Sequence, residues 1–433
     1  MAKRNIEQWK PVDMEALEQG MREAALRDGA KAFSELIAQI PDSQGEVVCP
    51  ECQQFMKSLG KREKEIVSLL GAEIIERTYY ECTEPGCNSH RFPKDELLDI
   101  SKTGFSPGVR RLMARSGSHD SFEAGRLDLK DYSGIEVTAK DVERISESIG
   151  NAIAQKELAE RPNLLAQKPT PRIDEKIPLM YVQCDGTGVP MITCEIEGRK
   201  GKQEDGSAKT REAKLGCIFT QTITDKEGHP IREPNSTTYV GSIETAAEFS
   251  YRLEAEAIRR GLWQAKNVVF IGDGAKWIWN IADQHFFGAI QIVDFYHASE
   301  HLHKLLALLF PVVNRFKEQE SIWHSWLENG AISKIIDSAK ALLPDTGEAR
   351  KKIEQEIGYF AENVQRMRYA EYKGKGLFIG SGVIEAGCKS IIGKRLKQSG
   401  MRWSLRGANS IIALRCCEIS RRFDDFWENR AAC

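Results

Sequence analysis

The chain has 433 residues, enough at roughly 150 residues per domain for about three domains, each with a core of its own. With 61 Lys+Arg against 63 Asp+Glu, a formal charge of −2 and 41% hydrophobic residues, the composition excludes disordered and fibrous classes. The first ten residues lack an apolar signal-peptide core and the longest apolar run covers only residues 305–313, so neither a signal peptide nor a membrane span is expected.

Eleven cysteines, sparse and unevenly spaced, do not make a disulfide scaffold and fit a reducing cytosol. Residues 5–40 place Met14, Leu17, Met21, Phe33, Leu36, Ile37 and Ile40 at helical spacing, broken by Gly20 and Gly29. This pattern predicts two short amphipathic helices in an N-terminal region 1–45. In region 46–98, Cys49-Pro50-Glu51-Cys52 forms a CxxC knuckle, and Cys82 and Cys87 supply a second pair after 29 intervening residues. Four thiolates in two close pairs can converge on one tetrahedral Zn²⁺, and a strand over 73–80 leads into the second pair as in a zinc ribbon. His90 is a candidate substitute for one cysteine. Such a zinc is structural, because four protein ligands leave no open position for water.

Region 99–165 is polar and helical. Residues 134–137 make a turn before Thr138, which can cap a helix bearing Val142, Ile145 and Ile149 on one face, giving either a helix-turn-helix or a small bundle. The segment 161–176, with Pro162, Pro169 and Pro171 and few apolar groups, reads as a linker. Beyond it, short apolar runs at 179–184, 215–223, 237–240, 268–271 and 290–293, with a helical pattern over 244–261, predict three strands, a helix and two strands. That order matches a mixed sheet of ribonuclease H type, its first part spanning 175–299. Residues 195–214 alternate charges and read as a loop. A helical block over 300–378 looks inserted, and 379–433 resumes the core with a basic helical stretch. The expected architecture is multidomain α/β: a zinc ribbon and a helical DNA-binding region, then a ribonuclease H-like core with an all-α insertion before its last catalytic helix.

Asp185 follows an apolar strand and enters a glycine turn, and Asp273 does the same after 268–271. Carboxylates at strand ends stand at the sheet edge where open α/β sheets carry their sites, and they can share hard divalent cations such as Mg²⁺. Glu385 follows the helical block and supplies a third acid. Asp294 is a rival for the middle position, with His297 three residues on and His301 and His303 beyond it. Residues 386–422 hold nine Lys or Arg against Glu418 alone, an electrostatic footprint for a polyanion. Lys389, Lys394, Arg395, Lys397 and Arg402 are candidate DNA contacts, and Trp403 is a candidate base-stacking residue with a core position as its alternative.

The strings DGTGVP at Asp185, TREAKLGCIF at Thr210, GDGAKWIWNIA at Gly272, DFYHASEHL at Asp294 and GSGVIEAGCKSIIGKRLKQSGMRWS at Gly380, with the upstream CPEC, resemble bacterial insertion-sequence DDE transposases of the ISKra type, and more distantly Mutator-like transposases. The resemblance implies that Asp185, Asp273 and Glu385 hold two Mg²⁺ (or Mn²⁺) ions, and that Asp294 and His297 match the D-x-x-H element of Mutator-like relatives. It implies DNA cleavage and strand transfer at transposon terminal inverted repeats, with target DNA as second substrate and at least a dimer on DNA. It also implies a cytoplasmic, nucleoid-associated bacterial protein with no membrane partner. Two alternatives stay open: a ribonuclease H-like nuclease or resolvase without strand transfer, and a transposase-derived DNA-binding protein.

Overall fold

The computed structural model describes residues 13–43, 45–167, 177–201, 203 and 206–430. It divides into two compact units, residues 1–146 with 425–433, and residues 147–424. The first eight residues of the predicted N-terminal helical pattern, and 168–176 of the predicted linker, lie outside the described residues.

In the first unit a single helix, α1 (Met14–Gln39), replaces the two expected ones and runs through Gly20 and Gly29. Each glycine costs a helix about 1 kcal/mol. Burial of Ile37 and Phe33 against Ile66, Ile75 and Ile100 outweighs that cost, and Asp13 caps the start by accepting from the Ala16 amide at 3.2 Å. Strands β1 (Met56–Ser68) and β2 (Gly71–Cys82) form a long antiparallel hairpin, and β3 (His90–Arg91) adds to β2. Helices α2 (Pro93–Leu97), α3 (Pro107–His119) and α4 (Phe122–Asp128) follow, and α5 (Ala139–Leu165) begins in this unit and continues into the second from Glu147. Thr138 caps α5 as expected: its hydroxyl accepts from the Asp141 amide at 3.1 Å, and Val142, Ile145 and Ile149 are buried. Residues 161–165 are the last turn of α5 with Pro162 inside the helix, where a linker was expected.

The second unit is built on five strands: β4 (Ile177–Pro190), then, after the short helix α6 (Thr193–Ile196), β5 (Thr210–Gln221); after the small hairpin β6 (Ile223–Thr224) and β7 (Pro230–Ile231), β8 (Thr238–Ser242). Helix α7 (Ala246–Arg259), β9 (Ala265–Gly272), α8 (Lys276–His285) and β10 (Ile290–Val293) complete the sheet region. The strand order is β10-β9-β4-β5-β8; β5 is antiparallel to β4 and β8, while β4, β9 and β10 are parallel. Met180, Tyr181 and Val182 are consecutive and fully buried, so the central strand is covered on both faces. Five helices come next: α9 (Phe295–Leu309), α10 (Val313–Glu328), α11 (Ile332–Ala341), α12 (Glu348–Asn363) and α13 (Tyr369–Gly374). The chain then returns to the sheet as α14 (Gly382–Gly387), a π-helical turn Cys388–Gly393, α15 (Lys394–Leu396) and α16 (Leu405–Ile419), and ends in α17 (Phe423–Glu428), which from Asp425 belongs to the first unit. Gly387 is what lets α14 lie close on the sheet, because a Cβ there would stand 2.5 Å from the Tyr239 ring.

Candidate active site and metal clusters

The register of the parallel strands gathers the acids. Gln183 of β4 lies opposite Ile271 of β9, and Val293 of β10 lies opposite Gly272. Continued by one or two residues, this register sets Asp185, Asp273 and Asp294 abreast on neighbouring strands, which are spaced about 4.8 Å apart. Asp273 and Asp294 follow the last residues of β9 and β10, as expected. Asp185 does not end its strand: it pairs with Leu215, and Gly186 and Gly188 continue the β4–β5 ladder to Pro190. The carboxylate is at an edge all the same, since the β4–β9 pairing stops at Gln183 and β4 outruns its neighbour.

Each carboxylate is oriented by its own turn. The Gly186 amide donates to Asp185 Oδ1 at 2.6 Å, and the Ala275 amide to Asp273 Oδ1 at 2.8 Å. Glu385 projects from α14, where the Ser381 hydroxyl donates to Oε1 at 3.1 Å. Gln183, two residues before Asp185, is fully buried; its Nε2 donates to the Gly380 carbonyl at 3.2 Å and its Oε1 accepts from the Ile384 amide at 3.1 Å. It fastens the segment carrying Glu385 to the strand carrying Asp185. Sequence reasoning missed Gln183; its signal is an amide side chain inside an otherwise apolar run.

Asp294 is completely buried. Its Oδ1 accepts from the His297 amide at 2.7 Å and faces His297 Nδ1 at 3.3 Å, while Oδ2 accepts from the Ser381 amide. It therefore caps α9 and ties that helix to the approach to α14. Burial works to raise its carboxyl, but the hydrogen bonds from His297 and Ser381 prevail and hold it below the usual range. The hydrogen bond to Asp294 raises His297 to about 9 against its partial burial, with the charges of Asp294 and Asp273 adding to the rise. Asp185 moves the other way from Asp294: burial lifts it above its ordinary 3.8, the Gly186 amide opposes, and the Asp273 charge pushes it further up. Ligand atoms of Asp294, His297 and Glu385 all lie within 4.8 Å of one another. This group could hold a metal ion, and mutually repelling carboxylates beside it suit a hard cation.

Of the basic candidates, Lys389, Lys394, Lys397 and Arg402 are exposed, and Lys397 Nζ donates to the Thr187 hydroxyl close to Asp185. Arg395 and Trp403 correct the expectation of DNA contact. Trp403 joins the sheet edge, its amide donating to the Pro190 carbonyl at 3.1 Å, and its ring turns inward with Nε1 on the Leu396 carbonyl at 3.0 Å. Arg395 is fully buried with its guanidinium 5.0 Å from that ring. Arg415 is also internal, donating to the Ile391 carbonyl at 2.8 Å, so the surface carries less positive charge than the sequence count implies.

In the first unit the sulfurs of Cys49, Cys52, Cys82 and Cys87 lie within 4.8 Å of one another, with Cys49–Cys87 at 3.7 Å and Cys52–Cys82 at 3.3 Å. A tetrahedron with metal–sulfur bonds of about 2.3 Å has edges of about 3.8 Å, so the four thiols fit a thiophilic ion. The Cys52 amide, pointing at Cys49 Sγ, lowers that thiol to about 6. Cys82 accepts from the Glu84 amide, yet burial and the neighbouring thiols push it up to about 12. His90 is not among the four: its exposed ring packs on Tyr79 with centroids 5.8 Å apart. Among the described residues no helix is long and apolar enough to cross a membrane.

Residues 10–422 match the family described as Uncharacterised protein family (UPF0236). The chain belongs to this family. The UPF0236 match spans both the cysteine cluster and the carboxylate cluster. No curated protein matches the chain. Among solved structures, the Drosophila P element transposase strand transfer complex is similar at 8% sequence identity and a TM-score of 0.25, over 77% of this chain and 83% of that one.

Proposed function

We propose that this UPF0236 member is a DDE-type DNA transposase of the ISKra type, which binds transposon ends and performs metal-dependent cleavage and strand transfer. The observation that carries the reading is the placement of Asp185 and Asp273 on adjacent strands, with the Glu385 segment fastened by Gln183 to the strand of Asp185 and the ligand atoms of Glu385, Asp294 and His297 within 4.8 Å of one another. The strand order supports it: three antiparallel strands in series, then two parallel strands added on the far side of the first, is the ribonuclease H arrangement. On this reading α9 to α13 are an insertion ahead of the helix bearing Glu385.

Asp185, Asp273 and Glu385 would hold two Mg²⁺ or Mn²⁺ ions. When bound, such ions supply an activated oxygen nucleophile and stabilise the leaving oxygen in an in-line displacement at phosphorus. Asp294 holds His297 protonated at neutral pH, a positive charge at the rim of the carboxylates and suited to a DNA phosphate. Lys389, Lys394, Lys397 and Arg402 present further cations on the same chain segment, giving salt-dependent affinity for the DNA backbone. Cys49, Cys52, Cys82 and Cys87 would hold one structural Zn²⁺, and residues 1 to about 165, through the zinc ribbon and the helical region, would read the transposon ends. Joining two ends calls for at least a dimer on DNA, in the bacterial cytoplasm at the nucleoid.

The test is Mg²⁺- or Mn²⁺-dependent cleavage of DNA carrying the element's own ends, with a parallel assay of joining from pre-cut ends. Asp185→Asn, Asp273→Asn and Glu385→Gln are each expected to lower both activities by about 10³-fold while DNA binding persists. Cleavage that survives all three substitutions would falsify the reading. Cleavage without joining would favour a nuclease, and DNA binding without either activity a transposase-derived binding protein.

A further inference from the structure

The loop that presents Asp273 is held from behind by a helix of the α9–α13 block. The Tyr359 hydroxyl, on α12, donates to the Asp273 main-chain carbonyl at 3.0 Å. Its ring lies against the next residue: Gly274 has φ of +103°, and a Cβ there would stand 2.6 Å from the ring. Tyr359 is itself fixed. The His301 imidazole stacks on its ring with centroids 3.7 Å apart and planes 15° apart, and His301 Nδ1 meets Glu356 Oε2 at 2.6 Å. Glu356 precedes Tyr359 by three residues on the same helix, so His301, reaching across from α9, is clasped by both. This accounts for His301, which the sequence marks only as a histidine four residues beyond His297.

We infer that Tyr359, backed by His301 and Glu356, is a positioning group for the Asp273 carboxylate, and that it sets the affinity of the carboxylate site for divalent cations. The inference rests on the metal-site reading above. Asp273 has two constraints of its own, the Ala275 amide on its carboxylate and the strand pairing that ends at Gly272. Between them lies Gly274, which has no side chain of its own to anchor it, and the main-chain carbonyl taken by Tyr359 is the one that fixes the Asp273 peptide. Without that hydrogen bond the carboxylate samples more orientations, and the entropy of ordering it falls on metal binding. The arrangement also gives the helical block a role in the chemistry of the sheet: a helix far along the chain from Asp273 controls how firmly that acid is presented.

The experiment compares Mn²⁺ binding by calorimetry to the full-length wild type, Tyr359→Phe, His301→Ala and Asp185→Asn, with thermal unfolding recorded for each. Tyr359→Phe keeps the stacked ring and removes only the hydroxyl, so its unfolding temperature should fall by no more than a few degrees. Its Mn²⁺ affinity at the Asp185-dependent site is expected to fall about tenfold, and His301→Ala to fall in the same direction. An unchanged Mn²⁺ affinity in a folded Tyr359→Phe protein overturns the inference and leaves the metal-site reading standing. Wild type that takes up no Mn²⁺ beyond Asp185→Asn overturns that reading and the inference together.

Discussion

Two groups of acids in the second unit, one buried and one half-buried, meet opposite fates. Glu256, on α7, is fully buried, and its carboxylate takes Arg422 at 2.8 Å together with Arg259. Burial tends to raise it, but the charges of Arg422 and Arg259 win and hold it below the usual range. Asp185 has no ion-pair partner among the described residues; burial raises it, the Asp273 carboxylate pushes it further up, and the His297 charge opposes only in part. One cluster is neutralised by the chain that builds it. The other keeps an excess of negative charge at the edge of a sheet, offset only in part by His297 and by Lys389 4.0 Å from Glu385, which lowers stability and is retained where a cation or a phosphate–cation complex completes it.

The largest expected effect separates the two clusters by sign. Glu256→Gln leaves the Arg422 and Arg259 guanidinium groups facing a neutral partner in a buried position, and should destabilise the protein by about 3 kcal/mol at neutral pH, measured by urea unfolding. Glu157 of α5 remains as a second acid, 3.5 Å from Arg252 and 4.0 Å from Arg422, and softens that loss. A stability loss as small as that of an exposed substitution, about 0.5 kcal/mol, would show that the arginines find water instead and would undo the contrast.

Asp294 sits between the two cases, an acid in the functional cluster that is nonetheless internally satisfied. Asp294→Ala removes a helix cap worth about 1 kcal/mol and strands the buried Ser381 amide, so a loss of about 2 kcal/mol is expected, with roughly half of it recovered in Asp294→Asn. Equal stabilities for the two variants would mean that the carboxylate charge, and not its hydrogen bonds, is what the fold uses.

How much of this was legible in the sequence depends on whether a residue's partners are local. Cys49, Cys52, Cys82 and Cys87 declare themselves by spacing, and the thiols do converge. Asp185, Asp273 and Asp294 were marked by their place after apolar runs and Glu385 by its place after the helical block, but the sequence does not show that Asp294 turns both oxygens inward, because Ser381 lies 87 residues away. Strand β1 was hidden: its run Lys61 to Glu65 is charged throughout, and only the pairing across the hairpin, with Lys61 Nζ 3.0 Å from Glu76, makes an exposed strand of it. Arg395 and Trp403 misled for the reverse reason. A basic, aromatic stretch looks like a DNA surface, whereas the backbone pairing of Trp403 with Pro190 turns the indole into the core and the guanidinium follows it.

The smallest effect is the most diagnostic, because it reads the excess negative charge directly. A carboxyl raised in the folded state adds stability below its unfolded value, and that contribution is lost as pH rises through the folded value. For Asp185 the loss begins above its ordinary 3.8. For Glu256, lowered from 4.5, the sign is reversed: its contribution is present above that value and is lost as pH falls below it. Wild type and Asp185→Asn, unfolded in EDTA, should therefore be alike near pH 3.5, and the variant should gain by a few degrees in melting temperature as pH rises to 7. Added Mn²⁺ should erase the gap by stabilising wild type alone. Glu256→Gln should show the opposite pattern, with its deficit largest at neutral pH and shrinking in acid. If Asp185→Asn instead melts lower than wild type at pH 7 in EDTA, the Asp185 charge is already balanced within the chain, and the two clusters are of one kind.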